Sequence, residues 1–292
     1  MARPLIRPLL LAALVTAVAL VAGLLLTGAA KPLLLVDPGP FVRWGLPAVR
    51  AVNDIAGVVT VGALLLAATV VPSGGAGFRR AVTIASAAAV TWTLAGVPTL
   101  VLIYADAAGM PITDPQLGQQ LATFLTSVEL IRNLFIGVLM AAAVAVLTFG
   151  IRTSVGAGMV CALAAAAWFP VALTGHSAQA SGHETAVSGW WFHILGLGAW
   201  LGGMATLALL RSRLGRGAEV ADAAARYSTL AGWGFALVVV SGVANAWLRL
   251  SSWSDLLHGY GLLVLLKTIA TVSLGVAGWW HRRSTLPKLT AA

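Results

Sequence analysis

The stretch TGHSAQASGHETAVSGWWFHILGLGAWLGGMATLALL, residues 174–210, decides how the rest of the chain is read. From 187 onward it is apolar and carries no Asp, Glu, Lys or Arg. That is length enough for a membrane helix, which needs about 20 such residues. It holds three of the five histidines, His176, His183 and His193, and the tryptophans Trp190, Trp191 and Trp200. Gly196, Gly198, Gly202 and Gly203 let neighbouring backbones approach closely, which marks this span as a central packing element. Any chemistry in the chain is expected here.

Composition agrees with a membrane reading. Hydrophobic residues make up 59% and charged ones 9%, against about a quarter charged in a soluble domain. The expected fold class is all-α, a polytopic membrane helix bundle in a lipid bilayer. The net charge of +9 does not argue for a nucleic-acid partner, because cytoplasmic loops of membrane proteins carry excess Lys and Arg. The lone Cys161 excludes an intrachain disulfide framework and any CxxC motif.

Eight apolar runs follow in order: 6–30, 52–72, 81–104, 128–150, 154–174, 187–210, 228–248 and 259–280. With the N-terminus inside, twelve of the 18 Lys and Arg gather on the inner side. They are Arg3, Arg7, Arg79, Arg80, Arg152, Arg211, Arg213, Arg216, Arg226, Arg282, Arg283 and Lys288. Lys31, Arg43, Arg50, Arg132 and Arg249 fall outside, and Lys267 lies within a span. Both termini are therefore expected in the cytoplasm, in a multi-pass protein of the cell membrane. Arg3, Arg7 and Gly28-Ala29-Ala30 also frame a signal-peptide pattern, but its apolar run exceeds the usual length of about 7–15 residues. A retained first helix is expected.

Two outer segments are more than turns. Residues 31–50, with Pro32, Pro38, Pro40, Pro47 and Trp44, are expected to lie at the interface. After Asp106, Pro111, Asp114 and Pro115, the residues Leu117, Leu121, Phe124, Leu125 and Val128 recur at helical spacing and predict a short amphipathic helix. Residues 219–226 are expected to extend the seventh span on the inner side. A faint internal repeat lays Arg80, Thr83, Gly96 and Val97 on Arg226, Thr229, Gly242 and Val243, and Asp54 and Gly57 on His193 and Gly196. This divides the chain into an N-terminal four-helix half, 1–150, and a C-terminal four-helix half, 151–292, as a 4+4 parallel repeat.

The candidate site residues are few. His176, His183 and His193 lie at or near outer helix ends. Met204, eleven residues beyond His193, returns to its face on a regular helix, and Trp200 shares that face. Imidazole binds copper, zinc, iron and nickel, and thioether selects copper(I). A histidine bonded to a carbonyl and a methionine used for packing are the plainer readings. Haem would use histidines as axial ligands, usually at matched depth across a bundle, which these do not share. Among intramembrane polar groups, Asp54 and Lys267 or Glu129 and Lys267 could form a buried pair. Glu129 and Arg132 are spaced to pair on one face. Asn245 and Ser241, four apart, suit cross-helix hydrogen bonding. No nucleotide-binding loop, nucleophile–base pair or paired catalytic carboxylates are present, so an enzyme is not expected.

Several runs carry a family resemblance: Thr174-Gly175-His176, WWFHILGLGAWLGGMATLALL, RYSTLAGWGFALVVVSGVANAWLRL and YGLLVLLKTIATVSLGVAGWWHRR. Over 174–283 the chain resembles the copper-resistance D family of membrane proteins. Its first half, with Asn53-Asp54 and Thr60-Val61-Gly62, is similar to the N-terminal membrane part of actinobacterial-type fusions. In those, a cytochrome c oxidase assembly domain follows, about where this chain ends after Pro287-Lys288. The resemblance implies copper as the ion handled, taken up from the outer side, often with an extracytoplasmic copper-binding protein as partner. Family histidines carry over best onto His176 and His193, then His183. Three functions follow as expectations: a copper importer, a non-transporting copper-delivery or assembly factor for a membrane oxidase, and a haem-binding electron carrier.

Overall fold

A bilayer offers no water to satisfy backbone N–H and C=O groups, so each spanning segment must close its hydrogen bonds internally. The computed structural model meets that demand with helices throughout its described residues, which are 3–32, 36–174, 183–211, 214, 218–248, 256 and 260–284. They are α1 (Arg3–Thr27), α2 (Pro40–Thr69), α3 (Ala76–Ala108), α4 (Leu117–Ser127), α5 (Glu129–Thr148), α6 (Ser154–Ala172), α7 (His183–Leu197), α8 (Gly203–Leu210), α9 (Ala218–Trp247) and α10 (Tyr260–Ser284). A π-helical turn, Gly198–Gly202, joins α7 to α8, so the two form one span. Among the described residues eight spans are long and apolar enough to cross a membrane; α4 is the short exception.

The second span starts earlier than its apolar run suggests. Residues 40–50, expected at the interface, are the opening turns of α2. Pro40 stands in the first turn, where no backbone donor is needed. Gly39, at φ 89°, makes the left-handed turn into the helix. Asp37 Oδ1 accepts the Gly39 N–H at 3.1 Å and the Arg43 guanidinium. The hydrogen bond donated by the Arg43 guanidinium holds the Asp37 carboxyl below its usual range. Pro47 lies within the helix and removes one ladder bond, which a long helix tolerates.

The densest packing joins α2, α3, α5 and α6. Ala63 and Ala67 on α2, Ala81, Ala85 and Ala89 on α3, and Ala157, Ala164 and Ala167 on α6 are all buried. Lipid tails are as apolar as leucine, so these helices gain by close van der Waals contact rather than by escaping water. Small residues make that contact possible. Trp168 fills the remaining space, fully buried and stacked on Trp92 with ring centroids 5.0 Å apart. Trp190 of α7 tilts against it at 5.8 Å, and Gly57 of α2 leaves room for the indole, since a methyl there would collide with it.

A second cluster sits at the other end of the bundle. Val42, Leu100, Leu102, Tyr104, Ile131 and Leu134 pack there, and α4 lays Leu117, Leu121, Phe124 and Leu125 on them. The Tyr104 hydroxyl donates to Gln120 Oε1 at 3.0 Å. The helical spacing in the sequence thus corresponds to the buried face of α4. By contrast α1 and α10 expose nearly their whole surface, as lipid-facing helices do.

The central contact is between α2 and the α7–α8 span. A methyl on Gly62 would collide with the backbone of Gly202 and Gly203, and one on Gly202 with the Val58 carbonyl. These backbones touch, as the glycine run implied. Short turns reverse the chain between α2 and α3 and between α5 and α6, and the Ser154 N–H donates to Ser73 Oγ at 3.1 Å, tying the 70–75 and 150–154 turns together. Arg79, Arg80, Arg152, Arg211, Arg226, Arg282 and Arg283 therefore share one end of the bundle. Asp37, Arg50, Asp54 and α4 belong to the opposite end.

Candidate functional site

The site residues are held by α7 and α9, which cross along a line of glycines. A methyl on Gly196 would crowd the Gly234 carbonyl at 2.8 Å and Val238, and one on Gly234 would meet the Gly196 carbonyl at 2.9 Å. Above these, Gly189 faces Asn245 and Gly242 faces His193. The close approach brings polar side chains into reach of one another in an otherwise apolar layer.

His193 lies about 15 Å along α7 from its first residue, at 1.5 Å per residue, and is half-buried. Its Nδ1 is 3.1 Å from Ser241 Oγ. Ser241 donates to the Leu237 carbonyl at 2.5 Å, with the Val238 carbonyl at 3.2 Å. Asn245 donates from Nδ2 to the Ser241 carbonyl at 2.9 Å. Lys267 on α10 is exposed but within electrostatic reach of His193. Two turns beyond, Trp200 packs edge-on against Phe235 with centroids 4.9 Å apart. Trp200 and His193 thus both face α9.

Met204 does not follow them. It is 48% exposed on the outer surface, not beneath the imidazole. Eleven residues return to one face only on an unbroken α-helix, and the π turn at 198–202 inserts extra residues into that interval. The wide turn is also stabilised from outside: the Tyr227 hydroxyl of α9 donates to the Trp200 carbonyl at 2.5 Å. The glycine run was the only sequence signal for this turn.

The other candidates are spread through the molecule. His176 lies outside the described residues, and of His183 only the backbone, opening α7, is described. Asp54 is half-buried on α2 and accepts a hydrogen bond from Asn53 Nδ2 at 3.1 Å. Among the described residues no ion pair joins Lys267 to Asp54 or Glu129. Glu129 instead pairs with Arg132 at 3.4 Å on the exposed start of α5. No three of the described His, Cys, Asp and Glu residues converge on a point that could hold a metal ion. Sequence reasoning paired Ser241 with Asn245 but passed over its bond to His193; the signal available was that 193 and 241 lie on spans both rich in glycine. It also missed Trp92 and Trp168, whose places deep within Ala-rich spans differ from the interfacial positions tryptophan usually takes.

Fold and site together define a polytopic helical membrane protein with an imidazole fixed between two tightly crossed helices. Residues 41–190 match the family described as copper resistance protein D-like, N-terminal domain, and residues 221–292 match copper resistance protein D. The chain belongs to the copper resistance D family, and is thus a copper-related, multi-pass membrane protein. Comparison with curated proteins and with solved structures gives no match. Asn53, Asp54 and the Trp92–Trp168–Trp190 cluster fall in the first matched segment, and Ser241 and Asn245 in the second. His193, the π turn and α8 lie between them.

Proposed function

We propose that the protein takes up copper from the outer side of the cell membrane, with His193 capturing the ion in the outer half of the α7–α8 span. His183, ten residues before His193 and about 15 Å away along α7, is too far to bind the same ion; with His176 it offers copper an earlier ligand. Met204 takes no part in capture. One observation supports this reading above the rest: the half-buried His193 is held through Nδ1 by Ser241 on the half of the bundle away from the end that gathers Arg79, Arg80, Arg152, Arg211, Arg282 and Arg283. A basic end is the cytoplasmic end under the positive-inside rule, which makes the His193 end the outer one and both termini cytoplasmic. Imidazole accepts copper in either common oxidation state.

The test is copper accumulation in cells expressing wild type or His193→Ala at matched protein levels. Lower accumulation in the variant is expected, and equal accumulation sinks the proposal.

A second reading draws on the closed centre of the bundle. Gly62 and Gly202 bring α2 and the α7–α8 span into backbone contact, so no open route runs between them. A factor that delivers copper to a membrane oxidase on the capture side needs none. It would lose oxidase activity in His193→Ala at unchanged total cell copper.

A further inference from the structure

We infer that Ser241 sets the tautomer of His193, so that Nδ1 carries the proton and Nε2 is the nitrogen left free to take a copper ion. Ser241 Oγ stands 2.5 Å from the Leu237 carbonyl and 3.2 Å from the Val238 carbonyl. A carbonyl can only accept, and a hydroxyl has a single proton to give. That proton is therefore committed to α9's own backbone. The Oγ lone pairs remain, and they face Nδ1 at 3.1 Å. Two lone pairs cannot bond, so Nδ1 must be the donor.

A neutral imidazole has only one N–H, and placing it on Nδ1 leaves Nε2 as a bare lone pair. The ring's orientation agrees. Of its atoms, Cε1 and Nδ1 come nearest to Gly242, at 3.6 and 3.8 Å from where a Cβ would stand, and Nε2 is not among those within 4 Å. The Nδ1 edge thus faces α9 and its acceptors, and Nε2 turns away from them. Glycine at 242 is part of the device, because the small residue lets the ring lie against the helix.

Histidines that bind metals use one nitrogen for the ion and give the other N–H to an oxygen acceptor, which fixes the ring and raises the ligand's basicity. Here Ser241 Oγ is that acceptor. Ser241 is a positioning residue: it touches His193, not the copper. The tautomer assignment stands on the described geometry alone, and only its use for copper rests on the function proposed above.

The experiment is ¹⁵N NMR of the metal-free, full-length protein in lipid vesicles with labelled histidine, at mildly alkaline pH where imidazole is neutral. The His193 signal is assigned as the one lost in His193→Asn. A protonated Nδ1 with an unprotonated Nε2 is expected. The opposite tautomer, or an even mixture, overturns the inference whatever copper does. In Ser241→Ala the signal should shift toward the Nε2–H form, and in Ser241→Thr, which restores a hydroxyl, it should return. Copper titration then separates the two proposals. Loss of the acceptor should weaken binding by about 10–100-fold, with recovery in Ser241→Thr. Unchanged affinity in Ser241→Ala, at a site that His193→Asn abolishes, overturns the positioning role. If His193→Asn leaves copper binding intact, the capture site falls while the tautomer is still decided by the spectrum.

Discussion

The α2–α3 pair and the α7–α9 pair are built alike but held by different forces. In each, a long helix carries a polar residue opposite a glycine on its partner: Asn53 faces Gly96, and His193 faces Gly242. The first pair is nevertheless a matter of shape. Its alanines interlock, its tryptophan neighbour is sealed in, and its polar side chains bond within their own helix, Asn53 to Asp54. The second pair crosses at glycines and is stitched by side chains reaching between helices, His193 to Ser241 and Tyr227 to the Trp200 carbonyl. Shape gives rigidity, and cross-helix bonds on a glycine seam give a place where a ligand can compete for a polar group. Chemistry belongs to the second pair for that reason.

The strongest way to break the comparison is at the seam joining the two pairs. Gly202→Leu would drive a side chain into the Val58 backbone, which cannot yield as a flexible side chain would. Overpacking a tight core typically costs about 1–3 kcal/mol and sometimes more; against backbone, the upper end or beyond is expected. Thermal unfolding in detergent should show little folded protein. Gly96→Ala, by comparison, meets only the Val138 side chain at 3.0 Å and Asn53 at 3.5 Å, and its loss should stay below about 1 kcal/mol. Equal effects at the two glycines would mean that the backbone contact between α2 and α8 is not what unites the pairs.

A finer test separates shape from bonding. Tyr227→Phe removes the hydroxyl bond to the π turn, and intramembrane hydrogen bonds are worth about 0.6 kcal/mol on average and up to ~1.7. A bond this short to a distorted turn should fall toward the upper value. Trp168→Phe removes an indole N–H that has no hydrogen-bond partner among the described residues, so its loss should come from reduced ring contact with Trp92, Trp190 and Gly57. The signature is in dynamics: amide exchange at 198–202 should rise in Tyr227→Phe and stay unchanged in Trp168→Phe. If both variants loosen the turn, the division between a shaped pair and a bonded pair fails.

Much of this contrast was legible in the sequence, for physical reasons that particular residues show. The spans could be counted because a bilayer enforces length and hydropathy, and α4 could be found because Leu117, Leu121, Phe124 and Leu125, with Val128 just past its end, recur with helical period. The glycine run predicted a central helix because small residues are what close packing between helices needs. What spacing could not show was a change in helical period. The Met204 reading assumed 3.6 residues per turn, and a single π turn rotated it out to the surface. The start of α2 was misplaced because four prolines within 31–50 read as an interfacial segment, whereas Pro40 and Pro47 sit where the helix can bear them. The partners of His193 were hidden because Ser241 is distant in sequence and ordinary in type, and only the crossing of α7 and α9 makes it significant.

At the rim the shaped pair does use charge. Asp37 receives the Arg43 guanidinium and the Gly39 N–H at the entry to α2, and Arg43 is mostly buried while Asp37 is partly exposed. The carboxyl's pKa is lowered in the folded protein, chiefly by the hydrogen bond from Arg43. A lowered folded pKa means that folding favours the ionised form. Its contribution is complete above the unfolded value, about 3.9 for aspartate, and is lost as pH falls through the lower folded value. Acid titration of wild type should therefore loosen the first turns of α2 only below about pH 4, seen as increased amide exchange over 40–46. Asp37→Asn should show that loosening already at neutral pH and little further change with acid. The α7–α9 pair should be indifferent to this variant, with unchanged exchange at 189–196. Coupled loosening of both regions would show that the rim ion pair supports the bonded pair as well, and that the two halves of the comparison are mechanically one.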